Sequence, residues 1–262
     1  MSNSTRLRPV HVEECSMVAD LHRRAFPSRE VALGIYASDR VHHYLGALIA
    51  FPSLQPDHLI VGAWSGQELV GYAHCRQVKD AWHLNNIAVS PEQRGRGIGR
   101  ALIQRWMSMA ADRGCSRLSL DVNVDNRTAL EWYHSLGFEV ASTRYLYACS
   151  KTARDAGNAQ RLDHHARLVR WDNALAWQTQ YGFSSFGIEL DGIEWHVDRL
   201  PRGFFRVSMA FPLAGELALA DLDPQRKLVR VSCSPHEGYE AVMVTHTMTK
   251  PCGRTCHAEG CY

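Results

Sequence analysis

The turn Arg94-Gly95-Arg96-Gly97-Ile98-Gly99 constrains this chain more than any other stretch. Before it lies a strand, His83 to Val89, whose second half (Ile87, Ala88, Val89) is apolar. Ser90-Pro91 ends that strand, because proline has no N–H to give to a ladder. After the turn, Ile98, Leu102, Ile103, Trp106 and Met109 recur at helical spacing. A glycine-rich turn feeding a helix leaves several backbone N–H groups unpaired and pointing one way. With the helix dipole they make an anion site suited to a phosphate or diphosphate. Arg94, Arg96 and Arg100 add positive charge around it. The spacing is not that of a Walker loop, which needs G-x-x-x-x-G-K followed by Ser or Thr. A dinucleotide fingerprint is also excluded, since its third glycine belongs inside the helix.

A second motif lies downstream: Asn126-Arg127-Thr128-Ala129-Leu130, then Trp132-Tyr133-His134-Ser135-Leu136-Gly137-Phe138. Together with Arg94-x-x-Gly97-x-Gly99, this N-x-x-A-x-x-x-Y-x-x-x-G-F segment resembles the GNAT (Gcn5-related) N-acetyltransferase superfamily. The resemblance covers residues 1 to about 150. It implies an α+β fold in α/β/α layers, the acyl-CoA N-acyltransferase fold, and acetyl-CoA as cosubstrate with no metal. It implies that the amides from Arg94 through Gly95, Arg96, Gly97 and Ile98 to Gly99 cradle the diphosphate, with Arg100 on a further phosphate. It also implies that Ile87, Ala88 and Val89 pair through their backbone with the pantetheine arm. Asn126 would contact that arm or cap the helix; both roles are compatible.

An amine attacking a thioester needs a held acyl donor, a neutral amine, a stabilised oxyanion and a protonated leaving thiolate. Tyr133 matches the family's general acid, since a phenol is protonated at neutral pH; its other reading is a core aromatic. His83 is the candidate base, and an imidazole suits that task. Strand alternation places it with Asn85, Ile87 and Val89. Its position resembles that of a histidine in arylalkylamine members of the superfamily, whose second histidine is here Asn85. The other reading of His83 is a hydrogen-bonded strand residue, with His74 and Glu131 as further candidates for the base. The acceptor pocket is expected from the 31–51 region, Tyr72 to His74, and Tyr36, Tyr44, Trp64, Trp82, His42 and His43.

Upstream, Arg6 to His11 reads as a strand, Val12 to Phe26 and Val31 to Phe51 as helices, and Leu59 to Trp64 and Leu69 to Val78 as a hairpin. Arg117 to Val122 and Phe138 to Ala148 read as further strands. Residues 150–162 read as a connection to a second, mostly β domain over 151–262, an α+β domain whose function the sequence does not reveal. There, Leu162 to Tyr181 reads as a helix. Asp191-Gly192 marks a two-residue hairpin, with strands expected at Phe204 to Phe211, Glu216 to Ala220, Leu228 to Cys233 and Ala241 to Met248. No second glycine-rich loop or second Asn…Tyr…Gly-Phe segment occurs, so a tandem active enzyme is not expected, while a degenerate copy of the fold stays open. The second domain is expected to cover the acceptor site or form a homodimer contact.

The net charge of +2 demands neither a nucleic acid nor a membrane partner. The first residues lack the apolar core of a signal peptide, and no run reaches membrane-spanning length. The eight cysteines then read as free thiols in a reducing, cytoplasmic setting. The tail from Cys252 through Cys256 and His257 to Cys261 has zinc-type ligands without a familiar finger spacing. The activity expected is N-acetyl transfer to a primary amine of a small molecule. Alternatives are a protein or peptide acceptor, and a non-catalytic acyl-CoA-binding module.

Overall fold

The computed structural model describes residues 5–51, 58–149 and 166–252. The expected 150–162 connection, and Cys256, His257 and Cys261 of the tail, lie outside them. The elements in order are β1 (Arg6–Pro9), α1 (Cys15–Ala25), α2 (Ser28–Ala32), α3 (Val41–Ala50), β2 (His58–Ser65), β3 (Glu68–Val78), β4 (Ala81–Val89), α4 (Ile98–Asp112), β5 (Arg117–Asn123), α5 (Arg127–Ser135) and β6 (Glu139–Cys149). There follow β7 (Arg167–Val169), α6 (Trp171–Tyr181), β8 (Ser184–Leu190), β9 (Ile193–Leu200), β10 (Phe204–Ser208), α7 (Leu213–Leu222), β11 (Lys227–Ser232) and β12 (Met243–Pro251). No described helix is long and apolar enough to cross a membrane.

The chain forms two compact units, which exchange segments when set beside a cut at residue 150. The first comprises 1–26, 45–142 and 246–262; the second comprises 27–44 and 143–245. In the first unit, β1 to β4 are an antiparallel meander, β5 joins β4 in parallel, and β12 lies beside β5. Alternate residues of the strands meet one face of α4 in a shared core. Trp82, Leu84, Leu118 and Leu120 pack there with Leu102, Ile103 and Trp106. Helix α5 ends in a turn that returns the Phe138 N–H to the Tyr133 carbonyl at 3.0 Å. Lys250 of β12 donates to the Leu136 carbonyl at 2.6 Å, placing a cation on the negative end of that helix.

The second unit repeats the same pairing pattern. Its β7 to β10 are antiparallel, β11 joins β10 in parallel, and β6 lies antiparallel to β11. Its core gathers Phe186, Ile188, Val197, Phe205 and Leu228 under Ala174 of α6 and Leu219 of α7. The Asp191-Gly192 hairpin is present, both residues having positive φ (49° and 77°). Three expectations change. Glu216 to Ala220 is helix, not strand: Pro212 starts it and Leu and Ala, strong helix formers, sustain it. Within the helix expected over Leu162 to Tyr181, the described residues form the strand Arg167–Val169 before α6 starts at Trp171. The 31–51 helix is broken into α2, one 3₁₀ turn and α3.

Helix α1 packs on the sheet through two buried histidines' surroundings. His22 stacks on Phe26 (4.0 Å) and its Nδ1 lies 2.6 Å from the Tyr72 hydroxyl. His74 Nε2 lies 3.1 Å from His58 Nδ1. Burial drives both His22 and His74 down to about 3, with the Arg23 charge adding for the first and the His58 charge for the second. Both stay neutral in the folded protein, whereas the unfolded chain protonates them near pH 6.5. Their contribution is complete above pH 6.5 and is lost as pH falls from there toward 3. Urea midpoints should therefore drop between pH 7 and pH 5, as the unfolding free energy falls by about 1 kcal/mol per pH unit for each histidine. His74→Gln should flatten that slope; equal midpoints at both pH values for the wild type would contradict this account.

Candidate functional site

Strands β4 and β5 are paired only from Ala81–Arg117 to Leu84–Leu120. Beyond that point β4 runs on to Val89 and β5 to Asn123 without pairing to one another. The divergence begins where β4 takes an extra residue: His74 pairs with Asn86 and Cys75 with Leu84, leaving Asn85 as a bulge. The bulge resets the alternation. Ile87 and Val89 pack with Trp82 and Leu84 on the α4 side. His83 is thus on the opposite face from Ile87 and Val89, not on the same face as strict alternation implies. There its Nδ1 lies 3.0 Å from Ser119 Oγ of β5.

After Val89 the chain makes one 3₁₀ turn, Pro91–Gln93, and then the glycine-rich bend. Gly95 and Gly97 have φ of +77° and +82°, a region that L side chains avoid. Apart from the adjoining residues of the chain, no protein atom comes within 4 Å of where a Cβ would stand at either, so the bend is open on that side. The first helical bond of α4 runs from Ala101 N to Gly97 O, 3.0 Å. The N–H groups of Ile98, Gly99 and Arg100, the first turn of the helix, precede it and have no intrahelical acceptor. Arg94 is turned away from this bend: its guanidinium donates to the Ala25 carbonyl at 3.1 Å and to the Val89 carbonyl at 3.4 Å. Arg96 and Arg100 carry the remaining positive charge at the bend.

Helix α5 meets this place through Gly99. A Cβ there would touch Trp132 at 3.6 Å and Val89 at 3.7 Å, so the end of β4, the start of α4 and α5 converge on one residue. Tyr133 stacks beside Trp132, centroids 5.4 Å apart, and is 5% exposed. Burial pushes its phenol above the usual tyrosine range, which keeps the proton on the oxygen. Asn126 caps α5, its Oδ1 accepting from Ala129 N at 3.2 Å.

Two of the expected pocket residues are core residues. Trp82 is fully buried beneath the Arg113 guanidinium, and Trp64 is buried beneath Arg8. Tyr36, His42, His43 and Tyr44 belong to the segment packed in the second unit, where Tyr44 sits against Trp177, Tyr181 and Phe183. Ser119 was not legible from sequence, since only the strand register pairs it with His83. Among the described residues no group of three His, Cys, Asp or Glu side chains is placed to hold a metal ion.

Among the described residues the second unit has no counterpart to the open bend. Four residues, Met209 to Pro212, join β10 to α7. Arg230 reaches their carbonyls instead, donating to Met209 O (2.8 Å) and Phe211 O (3.1 Å) while paired with Glu216. The junction gathers acceptors around a cation, not amides around an anion.

Residues 16–138 match the model of the acetyltransferase (GNAT) family. Over 88 residues the chain is 34% identical to the ribosomal protein bS18-alanine N-acetyltransferase of Escherichia coli, a match covering 34% of this chain and 60% of that protein. It is 38% identical over 96 residues to N-alpha-acetyltransferase RimI of Mycobacterium tuberculosis, covering 35% of this chain and 59% of that one. The chain thus spans about three fifths of the length of these curated relatives. The fold extends further than the sequence likeness. A tandem GNAT protein from the clavulanic acid biosynthesis pathway superposes over 95% of this chain and 99% of its own, with a TM-score of 0.68 at 13% identity. The motif pair and the parted strands agree with that match: residues 16–138, where the sequence resembles the GNAT superfamily, are the residues that fit the acetyltransferase (GNAT) family model.

Proposed function

We propose that the first unit transfers an acetyl group from acetyl-CoA to a primary amine, both held together in a ternary complex. The observation that carries the reading is the convergence at Gly99. An open, amide-lined bend, the free edge of β4 and the buried Tyr133 helix all meet there. The residues fit the cosubstrate: positive-φ glycines leave room where phosphate oxygens would approach the backbone. When bound, acetyl-CoA supplies an acyl group activated as a thioester.

The N–H groups from Arg94 to Gly99, with Arg96 and Arg100, would bind the diphosphate, and Arg94 would hold the bend by its backbone contacts. The free main-chain edge at Ile87, Ala88 and Val89 would orient the arm, as an added strand does. Asn126 fixes the start of α5 and so the position of Tyr133. Tyr133 would hold a proton at its oxygen for the departing sulfur. His83 would take the proton that the amine must lose, directly or through water, and Ser119 would fix which ring nitrogen is free to do so.

The favoured acceptor is the primary amine of a small molecule. A protein or peptide N-terminus is the second reading, supported by the E. coli relative named for ribosomal protein bS18 alanine. Thiol release from acetyl-CoA, measured against parallel panels of small amines and N-terminal peptides, tests both. Turnover with either panel identifies the acceptor class; CoA binding with no turnover on both would leave the acyl-CoA-binding module and reject catalysis.

Gly97→Val should weaken CoA binding about tenfold, because a β-branched residue at φ +82° costs more than about 1 kcal/mol. Calorimetry with CoA reads this directly, and unchanged affinity would remove the bend from the binding site. Tyr133→Phe should lower kcat about 100-fold or more while CoA affinity stays within about twofold. Equal loss of both would make Tyr133 a packing residue. Ser119→Ala should move the acidic limb of the pH–rate profile, and a uniform loss at every pH would point to a merely structural role.

A further inference from the structure

Two cysteines of the first unit that acyl transfer does not use are brought together by its closing strand. Cys115 follows α4, its N–H returning to the Ala110 carbonyl at 3.1 Å. Cys252 follows β12, its N–H donating to the Ser116 carbonyl at 2.8 Å. On the same strand pair, Thr247 Oγ1 donates to Asp121 Oδ1 at 2.7 Å. Both contacts fit one antiparallel register of β12 along β5. It puts Cys252 opposite Ser116 and one residue from Cys115. Residues so related have Cα atoms about 6 Å apart, inside the range a disulfide accepts. Both side chains join the same apolar cluster, Cys115 buried and Cys252 at its partly exposed rim. Burial raises the Cys115 thiol above its ordinary range, and the neighbouring Cys252 sulfur adds to the rise.

We propose that Cys115 and Cys252 are an oxidative modification site, at which a peroxide joins the closing strand covalently to the α4–β5 turn. Cys252, the more accessible sulfur, attacks the peroxide and becomes a sulfenic acid, with release of one water. Cys115 then gives up its proton and attacks that sulfur, forming the S–S bond and expelling hydroxide, which takes up the proton as a second water. Two electrons leave the pair of thiols and reduce the O–O bond. A dithiol reductant reverses the change. The bond closes a loop that contains 143–245, so the strand that completes the first unit is retained even when that intervening chain opens.

The test treats the full chain with hydrogen peroxide, alkylates it under denaturing conditions and maps the unreduced peptides by mass spectrometry. The expected result is a linked Cys115–Cys252 peptide, with alkylation of the two lost together and restored by dithiothreitol. The thermal midpoint of the oxidised protein should lie several degrees above that of the reduced one. Cys252→Ala should abolish both the linked peptide and the difference in midpoint. This variant changes only the rim residue; Cys115→Ala, in the core, serves as a second control for the linkage alone. The proposal is overturned if Cys115 remains fully alkylatable after oxidation. It is equally overturned if Cys252 is recovered as a sulfinic acid or joined to Cys256 or Cys261.

Discussion

The parting of β4 from β5 is the constraint on which the first unit's chemistry depends. Parallel strands normally continue their ladder until one of them ends. Here pairing stops at Leu84 and Leu120 although both strands run on. The extra residue at Asn85 gives the local cause, because a bulge bends and twists its strand away from a neighbour. Three things follow. The β4 edge is left with main-chain groups that have no partner on β5. Helix α4 starts at the end of that edge, so its unpaired amides open beside it. His83 falls on the α1 side while Ile87 and Val89 stay in the core under α4.

The loop, α4 and α5 were legible because their signals are local. Glycines at 95 and 97 require positive φ, Asn126 is a cap, and apolar spacing marks α4. The bulge was not legible, since Asn85 is neither glycine nor proline and only pairing with β3 reveals it. That is why strict alternation puts His83 on the wrong face. The run Glu216–Ala220 alternates like a strand but is made of helix formers, and helix propensity decided it. Residues 27–44 and 246–252 carry no mark of which unit they complete; partners far along the chain settle that. Ser38, for example, donates to the Tyr181 carbonyl at 2.6 Å.

The second unit carries the same strand pattern without an open glycine-rich bend among its described residues. Its strand order and its one parallel pair repeat those of the first unit. Its core is comparably dry, with Phe186, Ile188 and Val197 fully buried. The crossover from the fourth strand to its helix is rebuilt, and no helix stands between β11 and β12 where α5 follows β5 in the first unit. At the crossover Arg230 holds the Met209 and Phe211 carbonyls, and the Phe211 ring fills the space beside Gly215. Packing preserves the architecture, while the short crossover removes the geometry that an anion would need.

The exchange of segments has a consequence for how such a gene can change. Each unit takes part of its sheet or core from beyond its own stretch of chain: β12 and Lys250 serve the first, and residues 27–44 serve the second. Fission of the coding sequence near its midpoint would give two products, each missing a piece encoded by the other. The halves are therefore bound to a common inheritance, because each supplies part of the other's sheet or core.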